Sequence, residues 1–195
     1  MKFMTWSNLE LAPWYAAGIY WLLSAPRVKQ TKVAEGLSDR LLHTGLMALA
    51  FLLLSSRRLD LGPFGLRFIP ENAWVRCAGI VLTFIGVGIA IWARYSLGQY
   101  WSARVTLKID HQLIRSGPYA CVRHPIYAGL IVAMAGTALV VGEWRAVIGV
   151  LLGLIEFSRK AVKEETLLAT ELDDDYQEYR KHAGFLTPRF RNDLN

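Results

Sequence analysis

Apolar residues are concentrated in five separate runs along the chain, divided by polar and charged stretches. The runs are Leu9–Ala25, Leu41–Ser56, Trp74–Ala93, Ile126–Val141 and Ala146–Phe157. Because a membrane-spanning helix needs about 20 mostly apolar residues, this pattern is typical of helices that cross a bilayer. Only residues 142–145 separate the last two runs, which predicts a tight helical hairpin. The chain is therefore predicted to be an all-α integral membrane protein with about five transmembrane helices.

The composition agrees with a membrane protein. Hydrophobic residues make up 53% of the chain and charged residues only 19%, whereas a soluble protein has about 25% charged residues. A chain of 195 residues is long enough for one domain with a sizeable core. We therefore treat residues 1–195 as a single membrane domain, in which 1–73 supplies the first two transmembrane helices and their loops.

Two classes of function receive no support from the sequence. The net charge of +6 has the sign that nucleic acid requires, but no basic run is interleaved with aromatic residues, so no nucleic-acid partner is predicted. The two cysteines, Cys77 and Cys121, do not combine with histidines at metal-ligand spacing. We therefore expect neither a metal site nor a disulfide framework.

The distribution of lysine and arginine predicts the orientation in the membrane. With five spans, segments 26–40, 94–124 and 159–195 share one side and carry sixteen of the 22 basic residues. The remaining six lie on the other side. Basic loops stay in the cytoplasm, so the C-terminus and the polar segments beside it are predicted to face the cytoplasm.

A polar cluster, Arg123–Tyr127, opens directly onto the fourth apolar run. Pro125 suits the first turn of a helix, where its missing N–H has no cost, and this places His124 at the cap position. The first N–H groups of such a helix form a small anion site that suits a carboxylate-bearing cofactor; we expect them to be those of Ile126, Tyr127 and Ala128.

A second polar pair, Glu164 and Glu165, follows the fifth apolar run on the same predicted side of the membrane. Taken singly, these residues have simpler explanations: Arg123 at the headgroups, Tyr127 in an interfacial belt, and the glutamates on a solvated helix face. Their joint position on one face favours a binding site. Further on, leucines and tyrosines at helical spacing predict one or two amphipathic helices over residues 159–191.

In combination, these residues resemble the isoprenylcysteine carboxyl methyltransferase family. The resemblance covers about residues 74–188 and rests on an ordered set of motifs: Leu97-Gly98-x-x-Trp101-Ser102, His111-x-Leu113-x-x-x-Gly117-x-Tyr119-x-x-x-Arg123-His124-Pro125-x-Tyr127, Glu164-Glu165-x-x-Leu168 and Tyr176-x-x-Tyr179. The closest pattern is that of compact prokaryotic members with five membrane helices. One feature departs from the family: Phe185 occupies a position where many members have arginine, and Arg189 follows Pro188.

The resemblance implies a cofactor, a site and a reaction. The cofactor is S-adenosyl-L-methionine, held in residues 74–195 as the methyltransferase core and enclosed by the last hairpin and the C-terminal segment. Cofactor-binding roles fall on Tyr119, Val122, Arg123, His124, Pro125, Tyr127, Glu164 and Glu165. Arg123 and Glu165 are the expected catalytic residues, and the expected substrate is a prenylated cysteine or another lipophilic acceptor within membrane lipid.

Three alternatives remain open at this level. The same scaffold occurs in enzymes that methylate the amine headgroup of phospholipids. A related architecture occurs in sterol-reductase-like membrane enzymes that use NADPH. The third alternative is a membrane protein without catalytic activity. The sequence predicts no particular oligomeric state.

Overall fold

The computed structural model describes residues 8–25, 31–34, 36–55, 61–98, 106–108 and 113–189. Within these ranges the chain forms five α-helices: α1 (Asn8–Ser24), α2 (Leu37–Ser55), α3 (Ala73–Leu97), α4 (Pro125–Val141) and α5 (Trp144–His182). Each helix contains one of the five apolar runs, which confirms the predicted all-α class. The described residues also form two short 3₁₀ helices, Gly62–Gly65 and Gly117–Ala120, and a small antiparallel sheet in which β1 (Thr31–Ala34) pairs with β2 (Thr106–Lys108).

Two of the described helices, α2 and α3, are long and apolar enough to cross a membrane, and α4 is a shorter apolar helix. Large apolar side chains on the outer faces point away from the core, among them Leu22, Leu41, Val81 and Ile155. Such faces suit contact with lipid. The number of spans, predicted as five, stays a prediction.

Helices α3 and α4 pack at backbone distance because glycines face each other across their interface. A methyl group added to Gly86 would lie 2.5 Å from the carbonyl oxygen of Gly129, and one added to Gly136 would lie 2.6 Å from that of Gly79. Small residues are the usual means by which membrane helices approach closely. The two helices therefore form a close pair, and α4 begins at a fixed position beside the end of α3.

The hairpin of α4 and α5 is present as predicted. Gly142 ends α4 in the left-handed conformation, with φ of 67°, which glycine adopts without steric cost. Residues 66–69 lie against this turn: the Phe68 N–H donates to the Gly142 carbonyl at 2.9 Å, and the Trp144 N–H donates to the Leu66 carbonyl at 3.2 Å.

Helix α5 continues far beyond its apolar part, which ends at Phe157. It runs unbroken for 39 residues, a length of about 58 Å at 1.5 Å per residue. The predicted amphipathic helix is thus the continuation of the fifth apolar helix rather than a separate element. No glycine or proline occurs between Leu154 and His182, so nothing in the sequence interrupts the helix. This continuity carries Glu164, Glu165 and the following tyrosines to the start of α4.

Candidate functional site

The site is built at the start of α4, where the chain makes a short 3₁₀ turn over Gly117–Ala120 before entering the helix. His124 is the N-cap residue and Pro125 occupies the first turn, as the sequence predicted. One detail of the expected anion site needs correction. The Ala128 N–H donates to the His124 carbonyl at 3.0 Å, because it is the first donor of the regular helical ladder. Only the N–H groups of residues 126 and 127 precede that bond.

Two glutamates of α5 face this turn and pair with its polar side chains. Oε1 of Glu165 accepts a hydrogen bond from Arg123 Nε at 2.6 Å and lies 3.2 Å from His124 Nε2. The Tyr127 hydroxyl donates to Glu164 Oε1 at 2.5 Å. Oε2 of Glu164 lies 3.5 Å from His124 Nδ1. The imidazole therefore stands between two carboxylates, one at each ring nitrogen.

The ionisation of this cluster follows from its contacts. Burial opposes the charged form of Glu165, but hydrogen bonds from His124 and Arg123 outweigh it and lower the pKa of that carboxyl to about 2. Burial likewise opposes the protonated His124 ring, yet hydrogen bonding to Glu164 and Glu165 raises its pKa above the ordinary value. Both groups lie outside the apolar segments. The cluster therefore favours a protonated imidazole beside ionised carboxylates.

The segment after α5 covers this cluster through backbone hydrogen bonds. The N–H groups of Arg123 and His124 donate to the carbonyls of Gly184 and Phe185 at 2.7 and 3.2 Å, and the Gly184 N–H donates to the Cys121 carbonyl at 2.9 Å. Arg123 Nη1 also donates to the Ala183 carbonyl at 2.5 Å. Residues 183–185 thus lie alongside residues 121–124 and hold the arginine from a second side.

An aromatic group flanks the polar cluster on the side towards the membrane core. The Tyr127 ring stacks between the His124 ring at 5.8 Å and the Phe157 ring at 5.2 Å, with interplanar angles of 11° and 15°. The Phe185 ring meets His124 edge-on at 5.3 Å. The polar groups are therefore bordered by aromatic rings, which reduce access of water to the ion pairs.

The other predicted site residues line the same turn, but through their backbone or by packing. The Tyr119 side chain is buried, and its carbonyl accepts a hydrogen bond from the Tyr179 hydroxyl at 2.7 Å. Val122 is buried and bridges to Gly184, and Pro125 is buried at the helix start. All eight predicted residues thus come together around one turn of α4 and one of α5. Their roles toward a cofactor stay predictions.

Three residues that no site prediction included also belong to this cluster: Tyr176, Arg180 and Phe185. Arg180 Nε lies 3.7 Å from Glu165 Oε2, and Tyr176 is almost completely buried nearby. The sequence carried signals for them, since Tyr176 belongs to the Tyr176-x-x-Tyr179 motif, Arg180 follows it by one helical turn, and Phe185 departs from the family pattern. Arg189 contacts the turn before α4 through its backbone N–H, which donates to the Cys121 carbonyl. Its side chain is exposed.

Some sequence predictions concern residues that the structure does not describe. Residues 99–102 and His111 of the first two motifs lie outside the described ranges. Among the described residues, no group of three or more histidines, cysteines and carboxylates is arranged to hold a metal ion.

Comparison with known proteins finds similarity to one family over the middle of the chain. The model of the isoprenylcysteine carboxyl methyltransferase (ICMT) family matches residues 79–170, which contain α4, most of α3 and both glutamates. A protein-S-isoprenylcysteine O-methyltransferase of Schizosaccharomyces pombe is 36% identical over 92 residues, which are 46% of this chain and 39% of that protein. An uncharacterized protein of Bacillus subtilis, YpbQ, is 34% identical over 62 residues, 32% of this chain and 36% of that protein.

The matched segments span less than two fifths of the length of each of these two relatives. The fold extends further than the sequence similarity. A solved structure of the eukaryotic intramembrane Ras methyltransferase ICMT superposes with a TM-score of 0.61 at 16% identity, over 94% of this chain and 69% of that one. The architecture is thus that of an integral membrane protein. Residues 79–170, with their arginine–histidine–proline turn and paired glutamates, thus match the isoprenylcysteine carboxyl methyltransferase family, and the fold is similar to that of a solved ICMT.

Proposed function

We propose that this protein is an S-adenosylmethionine-dependent methyltransferase that methylates the carboxylate of isoprenylcysteine or of a similar lipophilic acceptor in the membrane. The observation that supports this most directly is the pairing of Glu165 with both Arg123 and His124 at the polar end of α4. The site faces the cytoplasm in this proposal, in keeping with the excess of basic residues on that side.

The polar groups of the site fit such a cofactor. Its amino-acid end carries an ammonium and a carboxylate, and the cluster offers ionised carboxylates beside guanidinium groups. Glu164 and Glu165 would accept from the ammonium and hydroxyl groups, while Tyr119, Val122, His124, Pro125 and Tyr127 would form the surrounding wall. When bound, the cofactor supplies an electrophilic methyl group on a sulfonium.

In this proposal Arg123 anchors the carboxylate that receives the methyl group. Its Nε and Nη1 atoms are held by Glu165 and by the Ala183 carbonyl. Within the described part of the chain, Nη2 makes no hydrogen bond, so it remains available to a ligand. In this proposal Glu165 fixes the orientation of the guanidinium, and Arg123 aligns the acceptor.

The reaction needs no general base. A carboxylate with an ordinary pKa of about 4 is already ionised at neutral pH. Sulfonium and carboxylate give neutral products, so charge disappears in the transition state, and a partly dry site at the membrane edge favours this change. Methylation of an amine would instead require a base. His124 is poorly suited to that role because both of its ring nitrogens face carboxylates.

The test is methyl transfer from labelled S-adenosylmethionine to a prenylcysteine analogue by the purified protein in lipid. We expect Arg123→Ala and Glu165→Gln each to lower kcat/KM by roughly 100-fold, the scale of breaking a buried charged hydrogen bond. Glu178→Gln is the matched control, since Glu178 lies on the same helix but its carboxylate pairs with the exposed Lys181 and His182 outside the site. Full activity in both site variants would contradict the assignment.

The same assay separates the rival acceptors. A phosphatidylethanolamine acceptor would give a rate that depends on a group titrating near pH 6.5, whereas a carboxylate acceptor would give a flat profile around neutrality. Binding of NADPH instead of S-adenosylhomocysteine, measured by calorimetry, would indicate a reductase.

A further inference from the structure

The Tyr176 hydroxyl is a buried polar group that forms no hydrogen bond with the described part of the chain, although the Glu165 carboxylate lies near it. The side chain is 1% exposed, and its oxygen makes no hydrogen bond to any described residue. Tyr179, one turn further along α5, differs: its hydroxyl donates to the Tyr119 carbonyl at 2.7 Å. Buried polar groups in folded proteins are nearly always satisfied, so an exception inside a candidate site points to a bound ligand.

The surroundings of this hydroxyl are charged. Burial raises the pKa of the Tyr176 phenol. The Glu165 carboxylate raises it further, by its charge and as a nearby acceptor, whereas the charges of Arg123 and Arg180 lower it. The phenol therefore keeps its proton at neutral pH and can donate it in a hydrogen bond.

Arg180 supplies a second donor on the same helix face. It follows Tyr176 by four residues, the spacing that places two side chains side by side on a helix. Its Nε lies 3.7 Å from Glu165 Oε2, beyond hydrogen-bond distance, and its side chain is 45% exposed. Glu165 is meanwhile paired through its other oxygen with Arg123 and His124. Arg180 can therefore turn to a ligand without leaving that glutamate unpaired.

We propose that Tyr176 and Arg180 together bind a carboxylate group of a ligand in this site, an inference that rests on the proposed methyltransferase function. A phenol O–H and a guanidinium are both donors, and a carboxylate is the acceptor-only group that matches them. The carboxylate has two chemically equivalent sources: the amino-acid end of the cofactor and the acceptor that receives the methyl group.

The experiment uses the full-length protein in detergent or lipid and compares Tyr176→Phe, Arg180→Gln and Tyr179→Phe. The first readout is thermal stability without ligand. We expect the melting temperature of Tyr176→Phe to equal or exceed that of the wild type, because the variant removes only an unpaired buried oxygen. Tyr179→Phe should melt at lower temperature, because it leaves the buried Tyr119 carbonyl without its donor.

The second readout is binding of S-adenosylhomocysteine by calorimetry, with 5′-methylthioadenosine, which lacks the amino-acid end, as the comparison ligand. If the carboxylate is that of the cofactor, Tyr176→Phe and Arg180→Gln each weaken the binding of S-adenosylhomocysteine by about tenfold. Binding of methylthioadenosine is then unchanged. If it is that of the acceptor, S-adenosylhomocysteine binding is unchanged and the KM of the prenylcysteine analogue rises by a similar factor.

Either pattern supports the inference and identifies the source. The inference alone is overturned if the wild type binds and turns over its ligands and Tyr176→Phe matches it in both measurements. It is also overturned if Tyr176→Phe weakens the binding of S-adenosylhomocysteine and of methylthioadenosine equally. A wild-type protein that binds no S-adenosylhomocysteine overturns the proposed function, and this inference with it.

Discussion

At the scale of single residues, the least usual feature is a histidine held between two glutamates in a buried position. His124 is 7% exposed, with Glu165 at 3.2 Å from one ring nitrogen and Glu164 at 3.5 Å from the other. Burying two carboxylates side by side is costly unless positive charge compensates them. Arg123 and a protonated imidazole provide that compensation. The charge state of His124 is therefore part of what holds α4 and α5 together at this point.

This arrangement predicts how stability depends on pH. The pKa of His124 is raised by folding, so its contribution is complete below its ordinary value of 6.5 and is lost as the pH rises through the folded-state value. The pKa of Glu165 is lowered from 4.5 to about 2, so its contribution is complete above pH 4.5 and is lost as the pH falls towards 2. Melting temperature should thus be highest between these limits.

Variants can assign the alkaline and the acid loss of stability to individual residues. In melting curves of the detergent-solubilised protein at several pH values, His124→Gln should lack the alkaline fall that the wild type shows above pH 6.5. Glu165→Gln should have a weaker acid fall between pH 4.5 and 2. If the melting temperature of His124→Gln fell above pH 6.5 as much as that of the wild type, another group would control the alkaline loss of stability.

The sequence predicted part of this site and missed part for a physical reason. The arginine, histidine and glutamates are charged groups beside apolar runs, so their position alone marked them for function. Tyr176 and Phe185 are aromatic residues on or just after an amphipathic helix, where burial in a core explains them equally well. Only the folded chain separates a core tyrosine such as Tyr179, whose hydroxyl has a hydrogen-bond partner, from Tyr176, whose hydroxyl has none among the described residues.

At the scale of elements, the contact of α3 with α4 determines where the site is built. The backbones meet at Gly86 and Gly129, and again at Gly79 and Gly136. Because no side chains separate the helices at these points, the interface tolerates little rotation or sliding. The start of α4 is therefore fixed relative to α3, and with it the orientation of His124.

A substitution at this contact should act on both stability and the site. Gly86→Ala would place a methyl group 2.5 Å from the Gly129 carbonyl oxygen, a separation that forces the helices apart. We expect a loss of roughly 2 kcal/mol or more in the free energy of unfolding, as for overpacked interiors. The change is measured as the lowering of the denaturation midpoint in mixed micelles, together with weaker binding of S-adenosylhomocysteine.

Gly88→Ala is the matched control, since it lies two residues along the same helix and its added methyl group would meet nothing within 4 Å. It should leave binding unchanged and stabilise the helix slightly, by about 0.5–1 kcal/mol. Equal effects of the two substitutions would contradict the role given to the interface.

The positions of the helices could be predicted from hydropathy, but the residues at which they end could not. The fifth apolar run ends at Phe157 because charged residues begin there, and hydropathy detects solvent preference rather than backbone hydrogen bonding. The helix itself continues to His182, since residues such as Lys163 and Glu165 are good helix formers. The small sheet joining β1 and β2 was missed, because pairing between segments more than 70 residues apart leaves no local signal.

At the scale of the whole molecule, the segment after α5 completes a site that begins 60 residues earlier. Residues 183–189 pair with residues 121–124 through backbone hydrogen bonds, so this contact does not depend on particular side chains. The family model stops at residue 170, before this segment begins. The geometry of closure is therefore a property of the fold that sequence motifs do not capture.

Truncation of the chain tests whether the segment after α5 contributes to ligand binding. A chain ending at His182 should keep its helical content by circular dichroism, because the five helices remain, but should lose most of its affinity for S-adenosylhomocysteine. A chain ending at Arg189 retains every described contact of the segment and should bind as the full-length protein does. Wild-type affinity in the shorter chain would show that closure contributes nothing to binding.

The stacked rings of His124, Tyr127 and Phe157 connect an ionic cluster to an apolar helix pair within the thickness of three side chains. For the proposed reaction, this means that the two substrates approach from different phases, one dissolved in water and the other in lipid. The rate should then depend on the mole fraction of acceptor in the bilayer rather than on its bulk concentration. Adding inert lipid at constant acceptor would slow the enzyme by surface dilution, as for catalysts that work at a phase boundary.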